Sequence, residues 1–331
     1  MIRQFYKQIY KTDKPVPASF ISDINVILNK YKDYDINYNV NIMELIKKKR
    51  KELAETSLMA YDNSLNYLYR NLTGKKGKPI DYSFIKNVEG INRLLSSKKP
   101  NTRKNYYSVL VVTTDALGDE ILKEKYDLEM RKNLSIVKES EGIASESQKK
   151  NMITLEEYDN ILNDFKYDDI WTYQDYILLL FYRYLPLRND LADMKVININ
   201  DLPVKSKENF LVVYKDSKYK LHLNSYKTSK TLGSQVIDIP DILNEHIRKF
   251  LTYNRTGFFI IKRNLKPVTP NMITKMLNRI FMDKVGKKIS TSLIRHIFLT
   301  SKYKKDLEER EKDSKIMLHS TAMQQSYIFR S

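Results

Sequence analysis

Four stretches in the second half of the chain carry residues able to move a phosphoryl group. LPLRNDLADM brings Arg188, and YKTSKTLGSQVIDIP brings Lys227 and Lys230. TSLIRHIFLTSKY brings Ser292, Arg295 and His296; MLHSTAMQQSYIF brings His319 and, eight residues on, Tyr327. Phosphoryl transfer without a metal needs charge neutralised on the nonbridging oxygens, and two guanidinium groups can do this bidentately at any accessible pH. It needs a nucleophile, and a tyrosine hydroxyl can store the phosphoryl group covalently. It needs a proton for the departing oxygen, which a lysine tuned by its surroundings can donate. A histidine can hydrogen-bond a phosphate oxygen or shuttle protons. Each type alone is commonplace, since the chain has 24 Tyr and 58 Lys and Arg. A lone Arg or Lys is normally a surface group and a lone His a packed one. It is the set, one candidate for each role, that points to this chemistry.

These residues must be held by secondary structure. A strongly apolar run over 171–185 predicts a buried helix that delivers Arg188 just past its end. NFLVVYKD, KYKLHLNSY and SQVIDIP alternate in polarity and predict a small antiparallel sheet, with KTSKTLG and its two lysines as the turn between the last two strands. Helices are predicted over 241–253, 270–284 and 292–303, and again near the end; Arg295 and His296 stand at the start of the third. The unit opens at MITLEEYDNILNDF, where Thr154 and Glu157 have capping-box spacing.

Ahead of it lie three regions. Residues 1–41 read as an extension with some short helix. Residues 42–137 read as a bundle of about four helices, with Leu58, Tyr61, Leu65 and Leu68 on one face and Phe84, Val88, Ile91 and Leu95 on another. Thr73 and Gly74 break the pattern, and Pro100 starts a helix. Residues 138–151, rich in Ser, Glu and Lys, read as an exposed linker to the unit at 152–331. Basic and aromatic groups interleave at Lys98, Lys99, Arg103, Lys104, Tyr106 and Tyr107, which suits backbone phosphates; a charged helix face is the plainer account of any one of them.

Composition agrees with a polyanionic partner. The 331 residues carry a formal charge of +18. A lysine-rich surface from an A/T-rich genome gives the same surplus. With no cysteine, disulfides, thiol catalysis and Cys-based metal sites are excluded, and the four His (His222, His246, His296, His319) are too scattered for a structural zinc. No apolar run spans a bilayer and the start has no signal-peptide core, so the expectation is an intracellular protein with no membrane partner.

The second unit resembles the catalytic domain of tyrosine recombinases, the phage-integrase class. LLLFYRYLPLRNDLADM resembles that family's first arginine box, SKTLGSQVIDIP its lysine hairpin, LIRHIFLT its Leu-Arg-His-Thr-Phe-Ala-Thr box, and HSTAMQQSY the box that ends in the nucleophile. The resemblance covers about 152–331; the helical region before it is similar only in kind to the family's SAM-like core-binding domain. KDSKIMLHSTAMQQSYI is most similar to recombinases of large DNA viruses and virophages.

The resemblance implies a mainly α fold with a small antiparallel sheet, two domains closing on duplex DNA, and a homotetramer on two DNA sites. It implies a site-specific recombinase or integrase, with Tyr327 as nucleophile, Arg188, Arg295 and His319 on the phosphate, and Lys230 as proton donor. It implies no metal, cofactor or ATP. Type IB topoisomerases and transposases of the same class use the same groups, and a catalytically silent DNA binder is a further alternative. Ser292 stands where the family has His or Lys, and Leu318 where it usually has Gly. Lys227 could replace Lys230, Arg183 could replace Arg188, and the acidic partner of the first arginine is either Asp190 or Asp193. His296 is expected to support the helix of Arg295. With four residues after Tyr327, subunit contacts are expected from elsewhere in the chain.

Overall fold

Capping side chains and left-handed glycines set the limits of most helices. The computed structural model describes residues 15–21, 36–215 and 218–316, with side chains to 310, and divides into two units, Met1–Ile143 and Ala144–Ser331. The expectations that concern Leu318, His319 and Tyr327 fall outside the described residues, as does most of the stretch 1–41.

In the first unit, α1 (Ile42–Lys49) and α2 (Glu55–Thr73) replace the single helix read there. The basic run 47–51 favours a helix C-terminus, and a turn closed by Leu53 N–H on Arg50 O separates the two. Gly74, at φ 69°, ends α2. The helix predicted before Leu95 opens as a 3-10 turn (Ser83–Lys86) because Asn87 recaps the chain: its side chain accepts from Gly90 N–H at 2.9 Å and starts α3 (Val88–Ser96). Pro100 is the first residue of α4 (Pro100–Leu117), and Asp119 caps α5 (Glu120–Glu139) while also receiving the Tyr38 hydroxyl. Ile42, Ile46, Leu65, Leu68, Leu110 and Tyr126 form the centre of this core. Five α-helices therefore lie between residues 42 and 139, where about four were expected.

In the second unit, Ser145 and Gln148 form a capping box that makes α6 (Glu146–Asn151) out of the largely exposed stretch 138–151. The Thr154–Glu157 box opens α7 (Leu155–Asn163), at 3.0 and 2.7 Å. Asp169 caps α8 (Ile170–Tyr184), whose Ile177 and Phe181 are fully buried.

The sheet runs in the order β1 (Lys195–Asn198), β2 (Phe210–Val213), β3 (Tyr219–Leu223), β4 (Gln235–Asp238). The three strands read from sequence pair antiparallel, with Leu211 opposite Leu221 and Leu221 opposite Ile237. β1 adds in parallel, Val196 opposite Leu211, so the sheet is mixed. The turn between β3 and β4 contains one helical turn, α9 (Ser229–Leu232).

Three further helices are α10 (Asp241–Tyr253), α11 (Pro270–Val285) and α12 (Thr291–Ile316). The last runs straight through the predicted stop at 303, since KKDLEEREKDSK holds no breaker. Phe250, Phe259, Leu277, Phe281, Leu293 and Ile297 complete the core with α8 and the sheet. The fold is mainly helical with a small sheet. Among the described residues no helix is long and apolar enough to cross a membrane.

Candidate active site

Arg188 leaves α8 on a short constrained loop. Leu185 and Leu187 on either side of Pro186 pack against the core, and the Tyr182 hydroxyl donates to Arg188 O at 2.5 Å. A turn follows, closed by Ala192 N–H on Asn189 O at 3.1 Å. This loop holds Arg188 and Asp190 half-buried rather than in open solvent.

Two asparagines that motif reading passed over tie the loop to the other boxes. The Asn189 side-chain oxygen accepts from Thr291 Oγ1 at 3.0 Å and from Thr274 Oγ1 at 3.2 Å. Thr291 is the first residue of α12, so this bond fixes the helix that carries Arg295. Asn209, just before β2, donates from Nδ2 to Ser225 O at 2.9 Å and to Asp190 O at 3.4 Å, and accepts from the N–H groups of Asn224 and Ser225 at 3.0 and 2.9 Å. The base of the lysine loop is thereby joined to the arginine loop.

The electrostatics converge on Asp190. Burial pushes its carboxyl above the usual carboxylate range, against the opposing pull of a backbone hydrogen bond from Arg188 and the positive charges of Arg188 and Arg295. One carboxylate thus senses both guanidinium groups. Asp193 does not share that position: it is exposed, sits at φ 51°, and its charged neighbour is Glu208. Of the two carboxyls, Asp190 is the one with arginines among its charged neighbours. Among the described residues, neither Arg188 nor Arg295 has a salt bridge within 4.0 Å, which leaves hydrogen-bond donors for an anion.

Arg183, the alternative to Arg188, is already engaged. Its guanidinium is clamped bidentately by Asp159, at 2.6 and 2.9 Å, and links α8 to α7. His296 is exposed rather than packed, on the side of α12 turned away from the buried Leu293, Ile294 and Ile297. His222 and His246 meet the hydroxyls of Tyr214 and Tyr173, at 2.9 and 3.3 Å.

Ser292 is exposed in the first turn of α12, one residue after Thr291, and the Ser290 hydroxyl accepts from Leu293 N–H at 3.3 Å. The positive end of the helix and the Ser292 hydroxyl suit an anion's oxygen, not removal of a proton. Lys227 and Lys230 are exposed on the β3–β4 loop, which the Tyr226 hydroxyl clasps by donating to Gly233 O at 2.8 Å.

In the first unit, the Lys98 ammonium lies over the Tyr67 ring at 5.2 Å, and Tyr67 packs on Tyr106 at 5.4 Å. Lys99 is exposed at the head of α4; Arg103 and Lys104 are half-buried, with Arg103 Nε buried and unpaired among the described residues.

No family model matches the chain, and no curated protein matches it. Among solved structures it is similar to one described as the crystal structure of XerA recombinase, at 13% sequence identity and a TM-score of 0.33, over 88% of this chain and 93% of that one.

Proposed function

We propose that this chain is a site-specific DNA recombinase of the tyrosine class. The observation that supports it is the 3.0 Å bond from Thr291 to Asn189, which ties the loop of Arg188 to the helix of Arg295, two arginines from separate motifs. In this reading the two guanidinium groups, His319 and the Ser292 hydroxyl hold the scissile phosphate. The Tyr327 oxygen attacks phosphorus, its proton leaves through His319, and the bond to the 5′ oxygen breaks. Lys230 or Lys227 protonates that oxygen. The bond energy is kept in a 3′-phosphotyrosyl link, so a second strand's 5′ hydroxyl can reverse the step. Lys98, Lys99, Arg103 and Lys104 contact the backbone of duplex DNA, inside the cell, and four copies on two duplexes exchange strands.

Covalent trapping tests this. The protein is incubated without metal with labelled duplexes from DNA flanking its gene, then quenched in detergent. A slow-migrating adduct that vanishes in Tyr327→Phe supports the assignment. Tight binding with no adduct across a broad fragment library supports a silent DNA binder instead. Relaxation of supercoils without any pairing of sites supports a type IB topoisomerase.

A further inference from the structure

A groove of about 450 Å³ opens at the N-terminal end of α8, between that helix, α11 and the turn at 261–268. Arg188 leaves the opposite end of α8, and neither it nor Arg295 lines the groove. The groove is therefore not part of the phosphate site.

Its walls are apolar: Trp171, Ile261, Val268, Met272 and Met276. Its buried polar groups are already satisfied. The Gln174 amide exchanges two hydrogen bonds with the Ile261 backbone, at 3.0 and 2.8 Å. Asp175 is held by Arg279 at 2.7 Å through both oxygens. The Asp169 carboxylate caps α8 on the N–H groups of Trp171 and Thr172. A polar small molecule would find no unpaired buried donor or acceptor among these. What remains is an apolar, methionine-rich wall with two cations at its lip, Lys262 and Arg263. Among the described residues neither forms a salt bridge, and the Arg263 guanidinium lies over Trp171 at 5.4 Å.

We infer that this groove docks a peptide segment of a protein partner, one that seats a bulky apolar side chain against Trp171 and the methionines with acidic side chains beside it on Lys262 and Arg263. Charge complementarity selects the acidic flank, and the satisfied floor selects an apolar anchor over a polar one.

Trp171 is the single tryptophan of the chain and reports directly on the groove. The probe is a labelled decapeptide with one phenylalanine between aspartates, with two controls: phenylalanine replaced by alanine, and aspartates replaced by lysines. The full-length protein should show a saturable change in tryptophan emission and in peptide anisotropy, with Kd on the order of 10–100 µM. Lys262→Glu with Arg263→Glu should weaken binding at least about tenfold while thermal melting stays unchanged. The inference is overturned by equal binding of either control peptide, or by no saturable signal up to about 1 mM. Tighter binding of an oligothymidylate at the same groove overturns it as well, as does self-association of the chain that the double variant abolishes.

Discussion

Asn189 holds Thr291 by a 3.0 Å hydrogen bond into its side-chain oxygen, and so joins the loop of Arg188 to the helix of Arg295. Removing the acceptor in Asn189→Ala leaves the buried Thr291 hydroxyl without it and should cost about 1–3 kcal/mol. Thr291→Val removes the donor with its shape kept and should cost less. A double-mutant cycle in urea should return a coupling of about 1 kcal/mol, and a coupling near zero would show the two elements to be fixed independently. Adduct formation should fall about tenfold to a hundredfold in Asn189→Ala with DNA affinity little changed, because misplacement and not charge is the defect.

Asp190 carries a definite pH signature. Its folded pKa is raised, with burial the main cause. Its contribution to stability is therefore full below the unfolded carboxylate value and is lost as pH rises through the raised folded value. Asp190→Asn should remove that decline, leaving melting at neutral pH unchanged or higher, while adduct formation falls. Melts compared between about pH 4 and pH 7 check the sign; a variant destabilised only at neutral pH would mean that the carboxylate's attraction to the arginines outweighs its burial.

Arg183 and Arg188 should separate structure from chemistry. Arg183→Ala breaks the bidentate pair with Asp159 and should cost about 1 kcal/mol of stability with adduct formation preserved. Arg188→Ala should leave melting nearly unchanged and abolish the adduct. Interchanged outcomes would reassign the first guanidinium.

The loop that carries Lys227 and Lys230 poses a choice that a leaving group can settle. Replacing the bridging 5′ oxygen of the DNA by sulfur makes a leaving group that needs no proton. Cleavage of this substrate should rescue whichever of Lys227→Ala and Lys230→Ala has lost the proton donor. The other variant should lose affinity instead, equally for both substrates.

Lys98 sits on the Tyr67–Tyr106 pair as a charge oriented by two rings. Lys98→Gln should lower DNA affinity and reduce the slope of log K against log salt by about one. An unchanged slope would place Lys98 off the phosphate path.

Helix ends with side-chain or proline signals were legible: Pro100, Thr154 with Glu157, and Pro270 all start helices where their spacing implies. Arg188 does follow a buried helix, and the three alternating strands pair as read. What escaped depends on distant partners. KVIN is too short and too ordinary to announce β1, whose strand identity comes from the parallel register of Val196 on Leu211. The early stop of α1 and the 3-10 turn before Asn87 are local competitions that apolar spacing does not resolve. Asn189 and Asn209 look like loop polar groups in sequence, and their hydrogen bonds become visible only once Thr291 and Ser225 have been brought to them. Asp190 and Asp193 part company only in the fold, where the first is half-buried and the second exposed at φ 51°.

The tight turn at Gly118 and Asp119, which folds α5 back along α4, also bears on how the chain reaches its structure. That hairpin closes between near neighbours in sequence, so the loop-closure cost is small and zippering can be fast. In the second unit only the β2–β3–β4 strands close so locally. Its cross-links from Gln174 to Ile261, Asp175 to Arg279 and Asn189 to Thr291 span 87, 104 and 102 residues. In synthesis the first unit can therefore be complete while α8 is still waiting for partners that the ribosome has yet to make.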